Sequence, residues 1–183
     1  MVGMGIDAST SCIGWSIFIN DRLVNHGKIT AQKDGDEKKE WRERIQVLIP
    51  NLQAIINKYH PSKMIVEDVP LINKQMITLV QLGAVQGMLL SICELNNIQI
   101  EFIHVNTWRK NIGISDGDKD RDNKKIRSIE KANELFGLEL PCVFTKFGNY
   151  NPQKSADDEA DAILVYASTL DEYRVKVRTI GRR

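Results

Sequence analysis

The chain has 183 residues, 42% of them hydrophobic and 27% charged, with a formal charge of +1. That length suits one domain whose core needs no disulfide or structural metal, and the composition is globular rather than disordered. Near-neutral charge excludes a uniformly basic nucleic-acid binder, so any contact with a polyanion has to come from local patches. Cys12, Cys93 and Cys142 are odd in number and widely scattered, which argues against a disulfide framework and against a zinc site. The sequence shows no secretory-type opening and no apolar run of the ~20 residues a bilayer crossing needs. The expected location is a reducing cytoplasm, with no membrane partner.

Residues 1–7 are apolar and end on Asp7, and residues 13–19 and 23–30 follow after short polar turns. Three apolar runs joined by tight turns predict an antiparallel meander. In residues 34–59, Trp41, Ile45, Leu48, Leu52, Ile55 and Ile56 recur at helical spacing, and Pro50 is expected to kink or split that helix. Residues 63–66 form a short β-branched run closed by Glu67 and Asp68, and an irregular apolar loop occupies residues 69–74. Residues 76–95 are apolar at helical spacing, with Gly83 and Gly87 four apart on one face. Residues 98–105 predict a strand, and residues 107–111 a helical turn capped by Thr107. The charged stretch 115–131 leads into a helix ending at Gly137. A polar loop over 145–155 precedes a last helix over 156–170. The order predicts an α/β fold of the RNase H-like kind, a mixed five-stranded sheet flanked by helices. One domain covers residues 1–170, and residues 171–183 form a basic tail.

The chemistry sits in the acids. Asp7 and Glu67 stand where strands should end, which is where sites assemble in such sheets. Asp158 and Asp161 lie at i and i+3 on the last helix and share a face. Four carboxylates from three elements are expected to converge on one point. They would repel unless cations held them, and hard oxygen ligands suit Mg²⁺ or Mn²⁺. Two such ions can clamp the attacking and leaving oxygens of a phosphodiester. Taken singly, each acid also has an ordinary structural explanation. Ser155 and Asp158 match a capping pattern, and Asp157 lies close enough to the same face to take the place of Asp158. Asp161 sits amid Ala160, Ala162, Ile163 and Leu164, where an acid is costly unless paired or metal-bound.

These segments resemble the RuvC family of resolvases, which cut four-way DNA junctions. The run G-I-D-A-S-T-S-x-x-G-W-S over residues 5–16 resembles its first-strand motif. The run I-V-E-D-V over 65–69 resembles its second motif, and D-D-E-A-D-A-I-L over 157–164 resembles its final acidic helix. The resemblance implies that Asp7, Glu67, Asp158 and Asp161 are catalytic and bind two Mg²⁺ ions. It implies a homodimer on branched DNA, and hydrolysis that leaves a 5′-phosphate and a ligatable 3′-hydroxyl. The helix bearing Gly83 and Gly87 matches the part of the family that builds the dimer interface, with packing inside the chain as the alternative. The divergence of the sequence resembles bacteriophage-borne resolvases more than the bacterial housekeeping form. The loop after Glu67 departs from the family in holding Leu71 and Ile72 but no aromatic, though apolar wedges can also unstack bases.

Expected DNA contacts are Trp108, Arg109 and Lys110, an aromatic beside two cations, and Lys119, Lys124 and Lys125 from a stretch in which bases outnumber acids. Lys110, Lys124 and Lys125 match the family's basic positions near the scissile phosphate. Phe147 and Tyr150 are candidates for base stacking or for core anchoring. Two other classes compete. The opening motif also resembles the phosphate-binding hairpin of actin-like ATPases and sugar kinases, which need a second related domain. A non-catalytic branched-DNA-binding relative of the same fold is the other.

Overall fold

The structure is a computed structural model that describes residues 1–31, 40–68, 76–114 and 120–175. Leu71, Ile72, Lys119 and the tail cations Lys176, Arg178, Arg182 and Arg183 lie outside the described residues. Strands β1 (Val2–Ala8), β2 (Cys12–Ile19) and β3 (Arg22–Thr30) form the expected antiparallel meander. Then come α1 (Trp41–Tyr59), β4 (Lys63–Asp68), α2 (Met76–Leu95), β5 (Gln99–His104), α3 (Val105–Ile112), α4 (Arg121–Phe136) and α5 (Asp157–Ala167). The sheet order is β3-β2-β1-β4-β5, antiparallel from β3 to β1 and parallel from β1 to β5.

Strand periodicity sorts the side chains to two faces. Met4, Ile6, Ile13, Ile17, Met64 and Val66 pack with Leu48, Leu52 and Ile56 of α1 and Val85, Leu89 and Ile92 of α2. The opposite face carries Phe18 and Ile65 under α3, α4 and α5. On that second face β1 and β2 present glycine at positions 3, 5 and 14. A Cβ on Gly3 would meet the Tyr166 ring at 1.8 Å, one on Gly5 the Ala162 carbonyl oxygen at 2.1 Å, and one on Gly14 the Asp158 carbonyl oxygen at 1.9 Å. Ser16, beside them, donates to the Ala162 carbonyl at 2.8 Å. The backbone of α5 therefore rests directly on the strands, and its first turn is held close to the end of β1.

Three local expectations change. Pro50 neither ends nor divides α1, which runs unbroken for 19 residues. Pro50 and Gln46 are both exposed, so the hydrogen bond that the proline omits is lost on the solvent side of the helix. The cap of α3 is His104, whose side chain accepts from the Asn106 N–H, and not Thr107. The N-cap of α5 is Ala156, with no side-chain cap. Ser155 instead donates to the Asn151 carbonyl and accepts from the Val143 N–H, so the capping explanation for Asp158 falls away. All three cysteines are free thiols. Against expectation, α2 is by length and composition apolar enough to cross a membrane, but one side of it packs on the sheet.

Candidate active site

β1 and β4 are parallel neighbours, and their last registered pair is Ile6 with Val66. The next residue on each is an acid, so Asp7 and Glu67 stand side by side at the strand ends on the face that α5 covers. Asp7 pairs across the sheet with Gly14, over which lies the Asp158 carbonyl. The glycine at position 14 is thus what lets the acidic end of α5 approach Asp7. One cavity of about 540 Å³ is lined by Asp7, Glu67, Asp68, Asp157, Asp158 and Asp161, together with Arg109, Arg121, Lys124 and Lys125.

The turn between β1 and β2 closes one wall. Ser9 Oγ accepts from the Ser11 and Cys12 N–H groups. Arg44 of α1 reaches the Thr10 carbonyl at 3.2 Å and its hydroxyl at 3.0 Å. Cys12 lines the cavity, where burial and then the neighbouring Asp158 carboxylate push its thiol well above its ordinary range. It is a neutral wall residue rather than a thiolate nucleophile.

The acids differ in their surroundings. Burial raises Asp7 well above the usual carboxylate range, and the charges of Glu67, Asp161, Asp158 and Asp157 add to that. Burial raises Asp161 to about 6, against the lowering effects of the Arg109 charge and the Ser128 hydroxyl. Arg109 does pair with Asp161, at 3.4 Å, but the contact is long and desolvation outweighs it. Asp161 Oδ1 is buried and has no hydrogen-bond partner among the described residues. Asp157 is only 3% exposed and fully engaged: Lys125 is paired with it, and the Tyr150 hydroxyl donates to its Oδ1 at 2.8 Å.

Two expected DNA contacts prove to be internal. Trp108 is fully buried, and its Nε1 donates to Glu67 Oε2 at 2.8 Å. Arg109 is 6% exposed and lies over the Trp108 ring at 4.7 Å. It reaches Ser128 Oγ at 3.4 Å and the Lys124 carbonyl at 3.5 Å besides Asp161. Adjacent residues of one short helix thus grip acids from two other elements. A tryptophan-arginine pair after a strand reads as a surface patch because nothing local announces that α4 and α5 will bury it. Lys110 is exposed on α3, away from the cavity lining, while Lys124 and Lys125 line the cavity. Tyr150 is a core anchor at 7% exposure, and Phe147 stands out in solvent at 78%. Gly83 and Gly87 are exposed, with nothing among the described residues within 4 Å of a Cβ placed on either, so no packing among those residues uses them.

The acids share a cavity but do not meet at one point. Among the described residues, no three acidic, cysteine or histidine side chains form a ready metal cluster. Like charges without a counter-ion stay apart, and Mg²⁺ keeps several waters and takes only one or two carboxylates. The donor set is all oxygen, and one buried carboxylate oxygen lacks a partner among the described residues. These features suit hard divalent ions completed by water and substrate oxygens.

No protein-family model matches the chain. It is 24% identical over 177 residues to "Crossover junction endodeoxyribonuclease RuvC" of Rickettsia akari, covering 96% of this chain and 100% of that one. It is 27% identical over 184 residues to the protein of the same name from Fusobacterium nucleatum, covering 98% and 84%. Its fold matches Thermus thermophilus RuvC, solved in complex with Holliday junction substrate, with a TM-score of 0.67 at 14% identity over 92% of each chain. In sequence the chain is similar, over nearly its whole length, to proteins of the RuvC family, and its fold is RNase H-like.

Proposed function

We propose that this protein is a metal-dependent endonuclease that resolves four-way or other branched DNA junctions. The observation that carries the reading is the shared cavity in which Asp7, Glu67, Asp158 and Asp161 arrive from β1, β4 and α5 with Arg121, Lys124 and Lys125 among its other lining residues. The names of the relatives, crossover junction endodeoxyribonucleases, point the same way.

Mg²⁺ is the ion the site suits, with Mn²⁺ a substitute. Asp7, Glu67, Asp158 and Asp161 are the residues that would hold such ions. Asp158 is preferred over Asp157 because Asp157 is taken up by Lys125 and Tyr150. When bound, such an ion pair supplies a clamp for the attacking and leaving oxygens of the phosphodiester. The chain's own groups do the remaining work. Trp108 fixes the Glu67 carboxylate, Arg109 fixes Asp161, and Lys124 offers positive charge to the phosphate in the transition state. Lys110 on α3 extends the cationic surface along the strand backbone.

The reading includes a homodimer formed through α2. Val85, Met88, Leu89, Ile92 and Cys93 of this helix are buried, yet Ile77, Val80 and Leu90 remain 47–52% exposed on the side that carries Gly83 and Gly87. A two-fold pairing of that face would place one site on each of two opposed strands. The two relatives named above are bacterial, and nothing in them favours a bacteriophage-type member.

The test is a synthetic four-way junction and a linear duplex of the same sequence, each incubated with the protein in Mg²⁺ or in EDTA. Paired incisions near the branch point, in Mg²⁺ and on the junction alone, are expected. Junction binding without cutting in either Mg²⁺ or Mn²⁺ would replace the enzyme with a binding module.

A further inference from the structure

Residues 143–151 build a hairpin at the start of α5. Phe144 and Tyr150 form a bridge, the Thr145 N–H donates to the Asn149 carbonyl at 2.8 Å, and the Gly148 N–H donates to the Thr145 carbonyl at 2.9 Å. Thr145 Oγ1 accepts from the Phe147 and Asn149 N–H groups, and Gly148 takes the left-handed turn at φ +81°. The base of the hairpin is fastened to the catalytic wall. Ser155 holds the Val143 N–H, the Ala156 N–H donates to Pro141, and the Tyr150 hydroxyl donates to Asp157, which lines the cavity.

At the tip, Phe147 is 78% exposed, the most of any phenylalanine in the chain. Lys146 Nζ lies 4.9 Å from its ring. A single exposed apolar side chain is ordinary. This one differs in being carried on a turn whose Thr145, Phe147, Gly148 and Asn149 N–H groups all donate within the hairpin, three residues from a side chain bonded to the cavity wall, so within about 10 Å of it along the chain. A flat apolar face with an ammonium beside it has the chemistry that takes a nucleobase and its phosphate.

We propose that the 143–151 hairpin is a DNA-binding element of this protein, in which Phe147 stacks on an unpaired base beside the branch point while Lys146 contacts the adjoining phosphate. The inference rests on the branched-DNA reading above and adds to it the base that the protein holds outside the cavity.

The experiment measures binding by fluorescence anisotropy, with Ca²⁺ in place of Mg²⁺ to read affinity without cutting. The probes are an intact four-way junction and one with abasic nucleotides flanking the crossover. Phe147→Ala should weaken binding about tenfold on the intact junction and have no effect on the abasic one. Phe147→Trp should bind the intact junction as tightly as the wild type. An equal loss on both junctions, or none on either, overturns the stacking role while leaving the nuclease reading intact. A wild-type protein that shows no preference for the junction over linear duplex removes that reading, and this inference with it.

Discussion

Trp108 donates from a fully buried indole to a carboxylate that also faces the cavity, so it sets where Glu67 points without touching substrate. Such outer partners typically tune metal affinity or activity by about 10–100-fold. Trp108→Phe keeps a ring in the core and removes the donor. The Mg²⁺ concentration for half-maximal cleavage should rise by roughly that factor, with the melting temperature only a few degrees lower. An unchanged Mg²⁺ requirement would reduce Trp108 to packing. The raised carboxyls give a second expectation. Protonated, Asp7 and Asp161 favour the fold. That contribution is full below the unfolded carboxylate range and is lost as pH climbs through the folded value, about 6 for Asp161. From about pH 5 to about pH 8 these sites should cost the metal-free protein stability. Added Mg²⁺ should therefore raise the melting temperature more at the higher pH, and an equal gain at both would contradict the shifts. At this scale Asp7, Glu67 and Asp161 were readable, because acids that end apolar strands or interrupt an apolar helix are conspicuous. The roles of Trp108, Arg109 and Asp157 were not, because each depends on a partner from a distant element.

Among the elements, α5 matters most, since its backbone rests on Gly5 and Gly14 and its Tyr166 ring on Gly3. Gly5→Ala would put a methyl group 2.1 Å from the Ala162 carbonyl oxygen, and neither backbone can yield without moving Asp158 and Asp161 away from Asp7. A loss of about 1–3 kcal/mol or more is expected, read as a lower urea midpoint together with loss of cleavage. The spacing of Gly3 and Gly5 with Asp7 follows the strand period, so a shared face was legible in principle. What could not be read was that a helix from the far end of the chain would occupy it. Pro50 teaches the reverse. Its helix-breaking tendency is a local rule, overridden because Leu48, Leu52 and Ile56 bury one side of α1 while Pro50 itself stays in water. Pro50→Ala should stabilise the protein by up to ~3 kcal/mol, and a fall in unfolding free energy would show that the proline is needed.

For the whole molecule, the order of elements and the mixed sheet followed from hydrophobic periodicity together with the turn and cap residues between the runs. The proposed use of the outer face of α2 did not, since an apolar helix reads alike whether it packs within a chain or between chains. Val80→Glu, on the exposed side of that helix, should shift the protein to monomer in sedimentation and cost little folding stability. A dimer that persists unchanged would move the interface elsewhere. Above both stands the claim that acids from β1, β4 and α5 act together on a phosphodiester through divalent ions. Its most direct test compares Mg²⁺-dependent junction cleavage by Asp7→Asn, Glu67→Gln, Asp158→Asn and Asp161→Asn with junction binding by the same proteins. Each should bind as the wild type does and cut at least about a thousandfold more slowly. Wild-type cleavage by Asp7→Asn would contradict the claim outright.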